Sequence, residues 1–440
     1  MRMNRLGAAD RQRRGERMDR RRWLPPPDLL VSGLAAGALI MVFGGSAHAA
    51  VPVPAATPRA IAYQQGKDFF FLFDFAFGLA VAAVFFAAGW SGRLRDLAGR
   101  IGHGRWFWTV SVTVIAYTTL IGLITVPVDW CEDFVLPHRY GISTETASHW
   151  LANEATGLAV NAVLVLAVAW VPYLLLRRRP RDWWLWATGA MLPLVLVFVA
   201  IGPVFISPLF NHFAPLADKH LETVLRAEAA RVGLGDAPIL VMDQSSESKA
   251  PGAYVTGLWG TRRIVLYDTL VKSFDEKQIQ FVLGHEMKHY LLDDVWKLVG
   301  LGGLILLAGF FTVDRLGRFV MRHWGKRAGV AGLADPASIP VLIGAFSVAV
   351  FVLTPVLNLA SQSIEHEADR FGLELTQNNA VAASAFVKLQ QDALGVPDPS
   401  LIARIWRTNH PTLRDRIDFA NTYHPWADGQ ALVYGAYMKP

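Results

Sequence analysis

Residues 279–313 read IQFVLGHEMKHYLLDDVWKLVGLGGLILLAGFFTV, and the two halves of this stretch belong to different worlds. The first half holds His285-Glu286-Met287-Lys288-His289, an HExxH pattern that follows the apolar run 279–283. On a helix, residues four apart share a face. Both imidazoles can then grip one zinc ion, and Glu286 between them can act as general base on a water held there. The second half, residues 295–313, carries no charged residue except Lys297 and approaches the length of about 20 residues that a bilayer span needs. Asp275, Glu276 and Lys277 precede the motif, and Asp293 and Asp294 follow it. A hydrolytic metal motif is therefore expected at a membrane surface rather than inside a span.

Outward from this stretch the chain stays apolar. Of its 440 residues, 53% are hydrophobic and 18% charged, which is too apolar for an ordinary soluble enzyme. Spans are expected at 69–90, 106–126, 156–176, 183–206, 295–313 and 339–360. Residues 29–49 form a further apolar run that ends Ala47-His48-Ala49, and it reads either as a signal peptide or as a first span. The fold class expected is mainly α, a multi-pass membrane protein of six or seven spans. A polar α+β, zincin-like insert at 207–294 and a helical C-terminal region at 361–440 complete it. A basic, disordered N-terminus at 1–28, an N-terminal membrane region at 50–206 and a hairpin at 295–360 fill in the domain plan.

Charge sets orientation and excludes partners. The net charge is +6, but Arg and Lys concentrate in 1–22, 91–105, 177–181 and 315–327, between apolar blocks. The loop around 129–154 is acidic instead. The positive-inside rule places the four basic segments in the cytoplasm and the insert on the opposite side, as in a bacterial inner membrane or its equivalent. A basic patch on a nucleic-acid-binding fold is absent, so no nucleic-acid partner is expected. The single cysteine, Cys131, excludes an intramolecular disulfide and a Cys-based zinc site.

Inside the insert, 216–232 has helical apolar spacing, while 239–242 and 263–267 read as strands and 252–257 as a third, at an edge. Helix starts are expected near Asn379 and Asp398. A catalytic zinc needs a third protein ligand. No carboxylate lies within 295–313, so the ligand must come from farther along. An antiparallel hairpin of the last two spans returns Ser363-Ile364-Glu365-His366-Glu367-Ala368-Asp369 beside HExxH. Glu365, His366 and Glu367 compete for the metal. Glu365 shares a helix face with Asp369, which can take the other N–H of a ligating histidine.

HExxH, a membrane hairpin and then Glu-x-x-Ala-Asp resemble the CAAX prenyl proteases, a family of gluzincin membrane metalloproteases. Residues 203–216 (PVFISPLFNHFAPL), 263–270 (RIVLYDTL) and 410–417 (HPTLRDRI) also look like that family. The resemblance implies one Zn2+ per chain on His285, His289 and Glu365, with Glu286 as base and Asp369 behind a histidine. It brings His410 and Arg416 to the active site, His410 to steady the oxyanion and Arg416 to anchor carboxylates. It also lays the substrate along Gly252, Ala253, Tyr254, Val255 and Thr256. Members usually carry Asn-Ala-Tyr where this chain has Gly252-Ala253-Tyr254. The implied activity is zinc-dependent endoproteolysis of a peptide or protein, near the C-terminus of prenylated CAAX-like substrates or in membrane protein quality control. A non-proteolytic membrane scaffold that keeps the motif is the alternative.

Overall fold

The computed structural model describes residues 50–257 and 261–439. The basic segment 1–28 and the apolar segment 29–49 lie outside the described residues. Helix α1 (Pro58–Ala87) starts on Thr57, whose hydroxyl accepts the Ala60 N–H at 3.1 Å, with Pro58 at its first position. It begins well before the expected residue 69, because Arg59, Lys67 and Asp68 hide its first turns from a hydropathy reading. The left-handed Gly89 then turns the chain into α2 (Trp90–Ile101), an amphipathic helix within a segment that the sequence marks only as basic.

Next come α3 (Trp106–Asp129), a π-helical turn and the short α4 (Leu136–Arg139), then α5 (Ala147–Val168), α6 (Trp170–Arg178) and α7 (Trp183–Ile201). Farther along lie α11 (Asp294–Val320) and α12 (Ile339–Thr376). Among the described residues, 6 helical runs are long and apolar enough to cross a membrane. The basic connections after α1, α6 and α11 meet one another. Arg95 pairs with Asp335, and Arg318 donates to the carbonyl of Pro180.

Between α7 and α11 sits the polar insert. Strand β1 (Phe213–Pro215) leads to α8 (Lys219–Arg231), then β2 (Ile239–Met242), β3 (Ala253–Thr256) and β4 (Arg263–Tyr267), followed by α9 (Asp268–Ser273) and α10 (Glu276–Leu291). The sheet order is β1-β2-β4-β3, with β2 and β4 parallel and the other pairs antiparallel. Strand β3 is an edge, as its sequence suggests. Helix α10 opens on a capping box in which Asp275 and Gln278 satisfy each other's backbone N–H groups. Its apolar face, Ile279, Phe281, Leu283 and Met287, packs into a core with Leu225, Leu266, Phe371 and Phe386.

Helix α12 is 38 residues long, about 57 Å at 1.5 Å per residue. The hydrocarbon layer is about 30 Å thick, so α12 crosses it and continues far beyond. A boundary between 360 and 361 therefore falls within one unbroken helix, because nothing interrupts its backbone hydrogen bonds there. Asn378 caps α13 (Asn379–Asp392), and α14 (Leu413–Thr422) follows. Helical structure near Asp398 is limited to a short run at 401–407.

The projecting end of α12 crosses α10 at two glycines. A Cβ added at Gly372 would stand 3.2 Å from the His285 backbone nitrogen and from the Phe281 carbonyl oxygen. One added at Gly284 would stand 3.3 Å from the Gly372 Cα. The absence of side chains lets the two backbones approach this closely. A Gly372→Val variant is expected to lose roughly 1–3 kcal/mol of stability through overpacking. Thermal melting of the purified protein in detergent would read this, and an unchanged melting temperature would show that the crossing is not set at Gly372.

Candidate active site

The α10–α12 crossing brings three imidazoles around one carboxylate. His285 donates from Nδ1 to Asp369 at 2.9 Å, and its Nε2 lies 3.0 Å from Glu365 Oε2. His289 directs Nδ1 to Asp294 at 3.0 Å, leaving Nε2 at 3.6 Å from Glu365 Oε1. His410 reaches the same carboxylate, Nε2 to Oε2 at 3.1 Å, while its Nδ1 is held by the Asn409 side chain at 2.7 Å. Donor atoms of His285, Glu365 and His410 all fall within 4.8 Å of one another.

These distances suit a metal. Ligand atoms about 2.0–2.1 Å from a tetrahedral ion lie about 3.3–3.4 Å apart. The two separations from Glu365 to the HExxH imidazoles bracket that value. Each of those rings also spends Nδ1 on a carboxylate, which fixes the tautomer with the Nε2 lone pair facing inward. The competing groups point elsewhere. His366 lies 4.4 Å from the Phe419 ring, and Glu367 pairs with Lys288 at 3.1 Å.

Behind His285, Asp369 is gripped by Arg416 through two bonds, Nε at 2.9 Å and Nη2 at 2.6 Å. The guanidinium also rests 4.2 Å from the centre of the Phe386 ring. Arg416 is thus placed to act on the site through Asp369 and His285. This differs from an arginine that meets substrate directly, because both of its bonds to a carboxylate go to Asp369.

Sequence reading passed over two residues. Asp294 holds His289, and Lys288 is fully buried with its ammonium 2.9 Å from Asp294 and 2.9 Å from the Ile364 carbonyl oxygen. Asp293, in the left-handed conformation at φ 56, breaks the chain between α10 and α11. That break turns Asp294 back toward α10. The signal was the Asp-Asp pair between motif and span, which marks a membrane surface equally well.

Burial pushes the Glu286 carboxyl above its ordinary pKa, against the pull of the neighbouring His285 and His289. Among the described residues Glu286 makes no hydrogen bond, so its oxygens are free to take a proton. Burial opposes the His285 imidazolium, yet hydrogen bonds to Asp369 and Glu365 outweigh it and lift the pKa to about 9. A metal must displace that proton to bind. Beside the site runs β3. Gly252 precedes it with no room for a side chain, since a Cβ there would stand 2.7 Å from Tyr267 Cε2. The missing asparagine thus has a steric reason.

Residues 215–424 match the model of peptidase family M48, and 53–212 match that of the CAAX prenyl protease N-terminal region, five membrane helices. The chain is 32% identical over 360 residues to the uncharacterized metalloprotease YhfN of Bacillus subtilis, across 81% of this chain and 84% of that protein. The chain belongs to peptidase family M48. This M48 chain is also 28% identical over 322 residues to CAAX prenyl protease 1 of Saccharomyces cerevisiae, covering 68% and 69% of the two. The crystal structure of S. mikatae Ste24p shares its fold, with a TM-score of 0.71 and 23% identity over 83% of this chain and 88% of that one. As an M48 member it is a multi-pass membrane metalloprotease that acts on a peptide or protein. Family membership implies a metal ion and does not favour an inert scaffold.

An Asp369→Asn variant, which loses the charge behind His285, is expected to bind metal about 10–100-fold more weakly. Competition with a chelator, followed by elemental analysis of the protein, measures this directly. Undiminished affinity would show that Asp369 does not tune the site.

Proposed function

We propose that this chain is a zinc endopeptidase that holds one Zn2+ through His285, His289 and Glu365. The observation that carries the reading is the pair of HExxH imidazoles, each tied at Nδ1 to a carboxylate and each presenting Nε2 to Glu365. Two imidazoles and a carboxylate without thiolates are a common catalytic zinc set. When bound there, zinc supplies Lewis acidity that polarises a scissile carbonyl and acidifies water.

The chain's own groups do the rest. Glu286 takes the proton of the attacking water and delivers it to the leaving amine. His410 donates from Nε2 to the carbonyl oxygen as negative charge develops on it. Asp369 and Asp294 keep the ligand rings from rotating, and Arg416 fixes Asp369. The peptide adds to the free edge of β3 as an extended strand, along Gly252, Ala253, Tyr254, Val255 and Thr256. Main-chain pairing does not need the asparagine that Gly252 replaces. The insert 207–294, the hairpin and the C-terminal region jointly build this site.

The names of the curated relatives suggest substrates with CAAX-like C-termini, prenylated or not. The three basic connections that meet at one end of the bundle support a cytoplasmic location for that end. The catalytic region then faces the extracytoplasmic side. Reporter fusions at 314–337 and at the C-terminus are expected to report cytoplasmic and extracytoplasmic locations respectively, and the reverse pattern would overturn the orientation.

A Glu286→Gln variant is expected to retain zinc yet cleave a peptide library about 10²–10⁴-fold more slowly than the parent. Chelator should silence the parent, and zinc should restore it. Equal cleavage by parent and variant would sink the mechanism.

A further inference from the structure

Far from the metal site, α1, α11 and α12 leave a groove of about 500 Å³ between them. Its walls are apolar, with Leu79, Ala83 and Phe86 on α1, Val320 on α11, and Val341 and Gly344 on α12. The stretch of α12 from Gly344 to Glu365 spans about 30 Å, so the groove opens near the opposite membrane face from the active site. One charged side chain lines it, Arg327, on the turn that ends α11. Trp324 lines it too and is 46% exposed, as suits an indole at headgroup level.

The cations here differ from their neighbours. Arg95 is paired with Asp335 and Arg318 with Asp314. Arg327, together with Lys326 on the same turn and Arg322 on the segment 321–325 before it, is exposed and makes no ion pair among the described residues. One unpaired arginine on the wall of an apolar groove, with two further unpaired cations close to it in the chain, on helices that cross a bilayer, matches one kind of molecule. Its tail must be hydrocarbon and its head must carry negative charge. Arginine's planar fork meets phosphate oxygens bidentately, and basic pockets between membrane helices hold such head groups.

We infer that this groove is a binding site for one anionic diacyl phospholipid, an acyl chain along Phe86, Val341 and Gly344 and the phosphate on Arg327. The charge complementarity selects headgroup sign. The apolar walls select a chain-bearing molecule over free phosphate.

Native mass spectrometry of the delipidated full-length protein tests this. The probes are phosphatidylglycerol and phosphatidylcholine with identical acyl chains, and glycerol phosphate without chains. A single retained phosphatidylglycerol is expected, favoured over phosphatidylcholine by about fivefold or more, since each basic side chain near an anionic surface contributes about that factor. Arg327→Ala should bring the two lipids close to parity, while Arg327→Lys should keep most of the preference. Ala83→Phe, at an exposed position on the groove wall, should weaken retention of both lipids. Equal retention of the two lipids by the parent would overturn the site. So would phosphatidylglycerol retention that ignores both Arg327→Ala and Ala83→Phe, the signature of annular lipid only. Glycerol phosphate binding as well as the lipid would reassign the arginine to a free anion. Arg327 is exposed and outside every core cluster, so its variants test the proposal even if Ala83→Phe fails to fold.

Discussion

The near-contact of two helix backbones at Gly284 and Gly372 is the constraint on which the site depends. Helices ordinarily pack with their axes about 8–10 Å apart, held off by side chains. Here, at the residue just before HExxH and one turn after Asp369, there are none. The closeness lets short carboxylates on α12 reach short imidazoles on α10 without long, floppy side chains between them. Phe281, Phe371 and Phe386 close around the crossing and keep it dry. The geometry of the His285–His289–Glu365 cluster is thus inherited from backbone packing, which is stiffer than any single rotamer.

Charge is handled with the same economy. Buried ions are costly unless each one is paired and hydrogen-bonded. Asp369 lies between His285 and Arg416, and Asp294 between His289 and Lys288, so each imidazole has a carboxylate behind it and each carboxylate a cation behind that. The two chains of charge come from different elements. One joins α10, α12 and α14, and the other joins α10 to the first residue of α11. The membrane hairpin and the C-terminal region are fastened to α10 by the same groups that orient His285 and His289.

Much of this was legible in the sequence because it rested on local periodicity. The apolar blocks, the β2 and β4 strands and the HExxH helix are set by residues close in the chain. The approach of Glu365 to that helix was legible too, since an antiparallel hairpin leaves few alternatives. Other features were not. The roles of Asp294 and Lys288 depend on a single left-handed residue, Asp293, and no hydropathy reading reports φ. Arg416 turns inward to Asp369 because Phe386 offers its face, a contact between distant segments. Helix α12 hid its length because its apolar half stops where the bilayer stops, while its helix does not. Strand β1 is only three residues and gives no period to read.

Continuity of α12 has a mechanical meaning. One helix carries Glu365 about 39 Å beyond its first residue, Ile339, with Pro355 as the one helix-interior proline between them. A tilt of the whole helix by about 1.5 degrees displaces Glu365 by about 1 Å, and misplacement of that size can cost a reaction about 100-fold. Transmembrane helices answer to bilayer thickness chiefly by tilting. The thickness of the host membrane is therefore a variable of this catalyst, acting through a lever rather than through any group that touches the substrate.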